Sequence, residues 1–241
     1  MTTLYSLIAV GLRPEEASAR VRESLPALLQ TPASLMTRLI LPLLLSISAV
    51  VASASAQTAP PNIVVILADD LGYGDVGFDG YPDIPTPNID SVAANGVLCT
   101  NGYATHPVCS LSRAALMTGR YQQRFGHELS LPFGTLIPAN PGLGLPESEL
   151  TLPQLLKPAG YVCGAIGKWH LGFAPNLFPR QRGFDEFFGF LDAEQGHYNT
   201  WIYTDETLMR EPSYLTDAFT REGISFINRY ATEPFFSLPR I

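Results

Sequence analysis

Apolar and polar positions fall into short blocks along the chain, and the clearest is Asn62-Ile-Val-Val-Ile-Leu-Ala68. A continuous β-branched run has no polar face, so it predicts a central strand covered on both sides. Thr86-Pro87 predicts a helix start, with a capping hydroxyl and a proline at the first helical position. Ile89, Val92 and Ala93 give that helix an apolar face and Gly96 ends it. Thr151 is placed to cap a short helix that turns Leu152, Leu155 and Leu156 inward and stops at Pro158 and Gly160. Residues 162–166 read as a buried strand. Residues 215–230 carry Phe219, Phe226, Ile227 and Tyr230 at helical spacing, with Thr216 as the cap and Gly223 as a weak point. Pro234-Phe235-Phe236 opens another core strand.

A different pattern precedes these blocks. Met36-Thr37-Arg38 leads into an apolar stretch from 39 to 51, and Ala54-Ser55-Ala56 stands before Gln57: a charged region, an apolar region and a small-residue cleavage site. Pro42, Ser46 and Ser48 interrupt a stretch shorter than the roughly 20 apolar residues that a membrane span needs. A cleaved signal peptide over 36–56 is therefore predicted, with export to the periplasm or the exterior and no stable membrane span after cleavage. Because a signal peptide begins near the initiator, residues 1–35 have no place, and Met36 is the expected start. Residues 57–241 are long enough for one domain with a sizeable core, and no repeat or linker divides them.

Composition narrows the partners. The 241 residues hold 15 basic and 22 acidic side chains, a net charge of −7, which argues against nucleic acid. Three cysteines, an odd number, give no disulfide framework even in an oxidising compartment. Cys99 and Cys163 lie in apolar runs and are expected in the core. The only lysines are Lys157 and Lys168.

Cys109 stands apart because of its continuation, Ser-Leu-Ser-Arg-Ala-Ala-Leu-Met-Thr-Gly-Arg120. A thiol at a helix entrance faces unpaired backbone N–H groups and the positive end of the helix dipole, which favours an anion or a nucleophile there. Arg113, four residues on, falls on the same face and adds a fixed positive charge. At the carboxyl end of the first strand, Asp69 and Asp70 would repel each other unless a cation lay between them, and the adjoining Leu-Gly-Tyr-Gly-Asp-Val-Gly loop lets backbone approach closely. After the strand at 162–166, alternation sets Lys168 and His170 on one side and Trp169 on the other, an arrangement suited to clamping an oxyanion. His106 has no partner visible in sequence and is expected to be structural or exposed. The aromatics of the 182–190 segment are expected to pack rather than touch substrate.

Residues 109–120 resemble the first signature of the sulfatase family, with Leu111 standing where the family carries proline. Residues 160–172, Gly-Tyr-Val-Cys-Gly-Ala-Ile-Gly-Lys-Trp-His-Leu-Gly, resemble its second signature. The resemblance implies an α/β fold of the alkaline-phosphatase-like kind, with a mixed, mostly parallel central sheet flanked by helices. It implies conversion of Cys109 to formylglycine by a formylglycine-generating enzyme, and Leu111 alters the pattern that enzyme reads, so partial conversion is expected. It further implies a Ca2+ ion held by Asp69, Asp70 and the residue at 109. Lys168 would contact nucleophile and sulfate, His170 the formylglycine hydroxyl, and Arg113 would stabilise the nucleophile. The substrate is a sulfate ester. The resemblance spans residues 61–236 and matches the front part of a complete sulfatase; the later histidine, the remaining metal ligands, a second lysine and a smaller carboxy-terminal domain have no counterpart before Ile241. Weak or absent activity of the chain alone is therefore expected. The alternatives are a phosphate or phosphonate ester hydrolase of the same superfamily and a non-catalytic remnant.

Overall fold

The computed structural model describes residues 7–12, 60–131 and 142–239. The expected start at Met36 and the signal segment at 36–56 lie outside the described residues. Apart from Pro60, the described residues belong to one unit of the chain, the other being residues 13–60.

Among the described residues seven strands make one sheet: β1 (Leu7–Leu12), β2 (Asn62–Leu67), β3 (Val162–Lys168), β4 (Glu186–Phe190), β5 (Thr200–Thr204), β6 (Thr207–Glu211) and β7 (Phe235–Pro239), in the order β1-β2-β7-β3-β4-β5-β6. The four central strands, β2, β7, β3 and β4, run parallel. Antiparallel strands extend the sheet at both edges. The expected mixed sheet with a parallel centre is thus the observed one. β7, the last strand in sequence, sits between β2 and β3, with Phe236 opposite Ile63 on one side and Cys163 on the other.

The unbroken apolar runs follow from this layering, because a parallel centre needs cover on both faces. Neighbouring residues of β2 part ways: Val65 packs in one cluster with Ala114 and Met117, while Val64 packs in another with Ala218, Phe219 and Phe226. The first cluster is covered by helix α2 (Cys109–Thr118) and the second by α4 (Leu215–Arg229). Phe226 is 1 % exposed, and Phe226→Ala is expected to cost about 3–5 kcal/mol. Close packing also explains Gly164, where a Cβ would lie 2.5 Å from the Phe226 ring.

Several local expectations need correction. Thr151 does cap α3 (Leu152–Leu156), in a capping box with Gln154, but Leu155 faces solvent at 57 % exposure because so short a helix covers the core with one side only. The cap position of α4 is Tyr214, which leaves Thr216 within its first turn. Helix α1 (Pro87–Asn95) has no buried residue. It is held instead through its polar start, where the Thr86 hydroxyl accepts from Gly77 N–H and donates to Asp90, and Asp90 also accepts from Phe78 N–H. Cys99, just beyond it, is exposed rather than in the core, while Cys163 is buried and burial pushes its thiol up to about 12. The sequence pattern marks no strand within 1–35, yet the backbone of Leu7–Leu12 pairs along the whole of β2, Leu7 opposite Leu67. Its sequence, Leu-Ile-Ala-Val-Gly-Leu, is apolar enough to close a sheet edge. Among the described residues no helix is long and apolar enough to cross a membrane.

Candidate active site

β2 and β3, both parallel to β7, release the chain at the same end of the sheet. Beyond Leu67 come Asp69, half-buried, and Asp70, exposed. Asp70 has φ 59°, a left-handed conformation that aspartate tolerates better than most residues. The next turn is tied by Gly72 N–H donating to the Asp75 carboxylate at 2.7 Å.

Cys109 is the first residue of α2, and its N-cap, Val108, has no side chain able to accept the helix's first N–H groups. Val108's own N–H donates to His106 Nδ1 at 3.0 Å, which gives that histidine a local structural role. The open helix end therefore keeps its positive pole beside the thiol. Cys109 Sγ lies 3.8 Å from Asp69 Oδ1. One ligand atom from each of Asp69, Asp70 and Cys109 can be chosen so that all three lie within 4.8 Å of one another. Behind them the first turn of α2 is anchored by Ser110, whose Oγ is 2.8 Å from His127 Nε2; His127 Nδ1 in turn sits 3.2 Å from the Gly144 carbonyl. The pair is buried, and desolvation lowers the His127 pKa.

Lys168 closes β3 with its side chain 4 % exposed and Nζ 3.2 Å from Asp69 Oδ2. Burial pulls its pKa down, and the neighbouring Cys109 and Asp70 act to raise it. His170 is also buried, at φ 54°. Burial, reinforced by the Lys168 cation, pushes its pKa down to about 4, so the ring is neutral at pH 7. His170 Nε2 is 3.4 Å from the Leu131 carbonyl, which can only accept. Nε2 therefore carries the hydrogen, and Nδ1, buried without a hydrogen-bond partner, is left as an acceptor. Trp169 turns the other way, its Nε1–H donating to the Leu177 carbonyl at 2.9 Å and its ring edge-on to Phe184. The side-to-side alternation is the expected one, but His170 reaches it through a left-handed residue rather than through extended strand.

Arg113 has a more specific task than its spacing indicates. Buried at 6 % exposure, it donates from Nε to the Trp169 carbonyl at 2.8 Å and from Nη2 to the Lys168 carbonyl. It braces the end of β3 and acts on Lys168 and His170 through its field, lowering the pKa of both.

Asp69, Asp70, Cys109, Lys168 and His170 all line one cleft of about 1010 Å³, together with Ser130, Glu194, Gln195 and His197 from loops, which no sequence pattern marks, and Thr216 and Phe219 from α4, which the pattern places on a helix but not at a site. The loop after β4 has no periodicity or motif, and only the fold brings it to the site.

An α/β sheet with a buried lysine, a thiol and a carboxylate pair at the carboxyl ends of its parallel strands defines a class of α/β proteins that bind ligands at that end. Within it, the chain belongs to the sulfatase family, whose profile matches residues 61–238. It is 40 % identical to N-acetylgalactosamine-6-sulfatase of Homo sapiens over 204 residues, 76 % of this chain and 39 % of the relative. It is 46 % identical to arylsulfatase A of Homo sapiens over 140 residues, 57 % of this chain and 27 % of the relative. Among solved structures, that of Ps i-CgsB in complex with k-i-k-neocarrahexaose matches with a TM-score of 0.68 and 35 % identity, over 73 % of this chain and 43 % of that one. The chain thus spans less than half the length of these relatives.

Proposed function

We propose that the chain carries the nucleophile-bearing part of a sulfuric ester hydrolase that acts on sulfated carbohydrate. The observation that supports this most is the placement of Cys109 at an open helix end, between a carboxylate pair and a buried lysine. The sugar part of the reading rests on the relatives, one named N-acetylgalactosamine-6-sulfatase and another solved in complex with k-i-k-neocarrahexaose.

The residues fit the cofactors the family implies. Two carboxylates with hard oxygen donors suit Ca2+, and the Cys109 sulfur stands where the oxygens of formylglycine would complete that side. A bound calcium would polarise a sulfate oxygen and neutralise spread negative charge. The chain's own residues do the remaining work. Lys168 holds a sulfate oxygen with a charge made strong by its dry surroundings. Neutral His170 takes a hydrogen bond at Nδ1 from a hydroxyl on residue 109, which orients the nucleophile. Arg113 and the Ser110–His127 pair fix the two backbone ends from which these groups project.

The test is sulfate release from N-acetylgalactosamine 6-sulfate and an aryl sulfate by the full chain, coexpressed with a formylglycine-generating enzyme and assayed with calcium. Weak turnover at most is expected from this chain alone, and Cys109→Ala should abolish it. Sulfate release that survives this substitution contradicts the reading. Faster release from the matched phosphate ester supports the phosphatase alternative, and a folded chain with the aldehyde but no turnover supports the remnant. Mass spectrometry across Val108 to Arg113 reads the conversion itself, expected to be partial because of Leu111. Export through the 36–56 segment is part of the same proposal, with Gln57 expected as the amino terminus of secreted protein; such cleavage would remove β1 from the edge of β2. Amino-terminal sequencing that finds Met1 in cytoplasmic protein would contradict it.

A further inference from the structure

Beyond the catalytic groups, the cleft continues into a wall made by the loop after β4 and the start of α4. Phe190 and Phe219, stacked with centroids 6.3 Å apart, give it an apolar floor, and Glu194 and His197 give it a hydrogen-bonding rim. A sugar ring has the matching character, with C–H faces and an edge of hydroxyls. The rim does not end at His197. The His197 ring lies 6.1 Å from Tyr214 at an interplanar angle of 30°, and Tyr214 lies 5.0 Å from Tyr198 at 36°. Three rings thus adjoin the cleft in a row, all exposed to solvent, with Tyr214 at 37 % and Tyr198 at 68 %.

Local hydrogen bonds hold the segment beneath them. Leu215 N–H donates to the His197 carbonyl at 2.8 Å, Ala193 N–H to Asp192 at 2.7 Å, and Arg210 Nε to Asn199 at 2.6 Å. A surface held in place before binding loses little entropy on binding, and tyrosine adds wide contact area at small rotamer cost. An aryl sulfate or a single sugar seated over Lys168 would leave the outer two rings uncovered.

We propose that the His197–Tyr214–Tyr198 ladder is a second sugar subsite, so that the substrate is a sulfated oligo- or polysaccharide rather than a monosaccharide or an aryl sulfate. This rests on the sulfatase reading of the adjoining cleft. The sulfated residue sits over Lys168 and His170, and the next sugar stacks on Tyr214 and Tyr198.

Calorimetry on the full chain with calcium tests the subsite, with four probes: inorganic sulfate, N-acetylgalactosamine 6-sulfate, a trisaccharide ending in that residue, and the same trisaccharide without sulfate. One stacked sugar is expected to make the sulfated trisaccharide bind about tenfold tighter than the sulfated monosaccharide. Tyr198→Ala and Tyr214→Ala should erase that advantage and leave the affinity for inorganic sulfate unchanged. Equal affinity for the two sulfated sugars, or an advantage that survives both substitutions, overturns the proposal. Failure to bind inorganic sulfate would count against the sulfatase reading instead. The unsulfated trisaccharide then decides the subsite alone, because its binding in wild type and loss in Tyr198→Ala need no sulfate cradle.

Discussion

Lys168 and Asp70 face the same cleft from walls of unlike construction. On the cationic wall, Lys168, His170 and Arg113 are each at most 6 % exposed, and Arg113 ties two carbonyls of the β3 end to α2. On the carboxylate wall Asp70 is exposed and Asp69 is half-buried, and among the described residues the acidic and thiol ligand atoms gathered there are two carboxylate oxygens and the Cys109 sulfur. Calcium takes six to eight oxygens, so these groups alone would not fill its shell. Under the proposed function, grip on an anion would therefore be built into the folded core, whereas grip on a cation would be held at the surface and completed by binding.

If the cationic wall is part of the core, damage to it should appear first as lost stability. Arg113→Ala strands two buried carbonyls and is expected to cost about 4 kcal/mol, read by urea unfolding. Arg113→Lys, which keeps a charge but not the fork, should recover only part of it. A cost near zero would mean that the brace is not structural.

Acid should strike the same wall. The His170 pKa lies at about 4 in the fold, against an ordinary value near 6.5. The unfolded chain therefore takes up the proton first as pH falls. Stability is complete above pH 6.5, drops as pH falls towards 4 and is flat below that for this group, a total of about 3 kcal/mol. Unfolding curves at pH 7 and 4.5 should differ by most of this in wild type and by much less in His170→Gln.

The carboxylate wall should show smaller and ligand-dependent effects. Calcium at about 100 times its dissociation constant should stabilise the wild type by about 2.7 kcal/mol. Asp70→Asn should remove that gain while changing stability without calcium by less than about 0.5 kcal/mol, as for other exposed polar positions. Equal calcium protection in both proteins would break the assignment of Asp70 to the metal.

The same contrast separates the features legible in the sequence from those that are not. Residues fixed by an element end are readable: Asp69 and Asp70 after a β-branched run, Cys109 at a helix entrance, Lys168 at a strand end. The central strands 62–67 and 162–168 are readable too, since a run buried on both faces leaves an unbroken apolar pattern. Features that depend on tertiary neighbours are not. Nothing in Arg113's spacing foretells that its guanidinium is occupied by the Lys168 and Trp169 carbonyls, and His127, seventeen residues from Ser110, shows no motif that joins them. The loop bearing Glu194 and His197 enters the site only because β4 runs parallel to β3 and ends beside it. Periodicity overstates the apolar faces of α1 and α3 because it marks a potential face and not the neighbour that covers it.

The division between the two walls stands or falls on a titration of inorganic sulfate into calcium-free protein, comparing wild type with Lys168→Ala and Asp70→Asn. Sulfate should bind the wild type and Asp70→Asn with similar affinity, since the anion cradle needs no metal, and should bind Lys168→Ala at least about tenfold more weakly. Unchanged binding in Lys168→Ala, or binding in wild type only after calcium is added, would contradict a self-contained cationic wall.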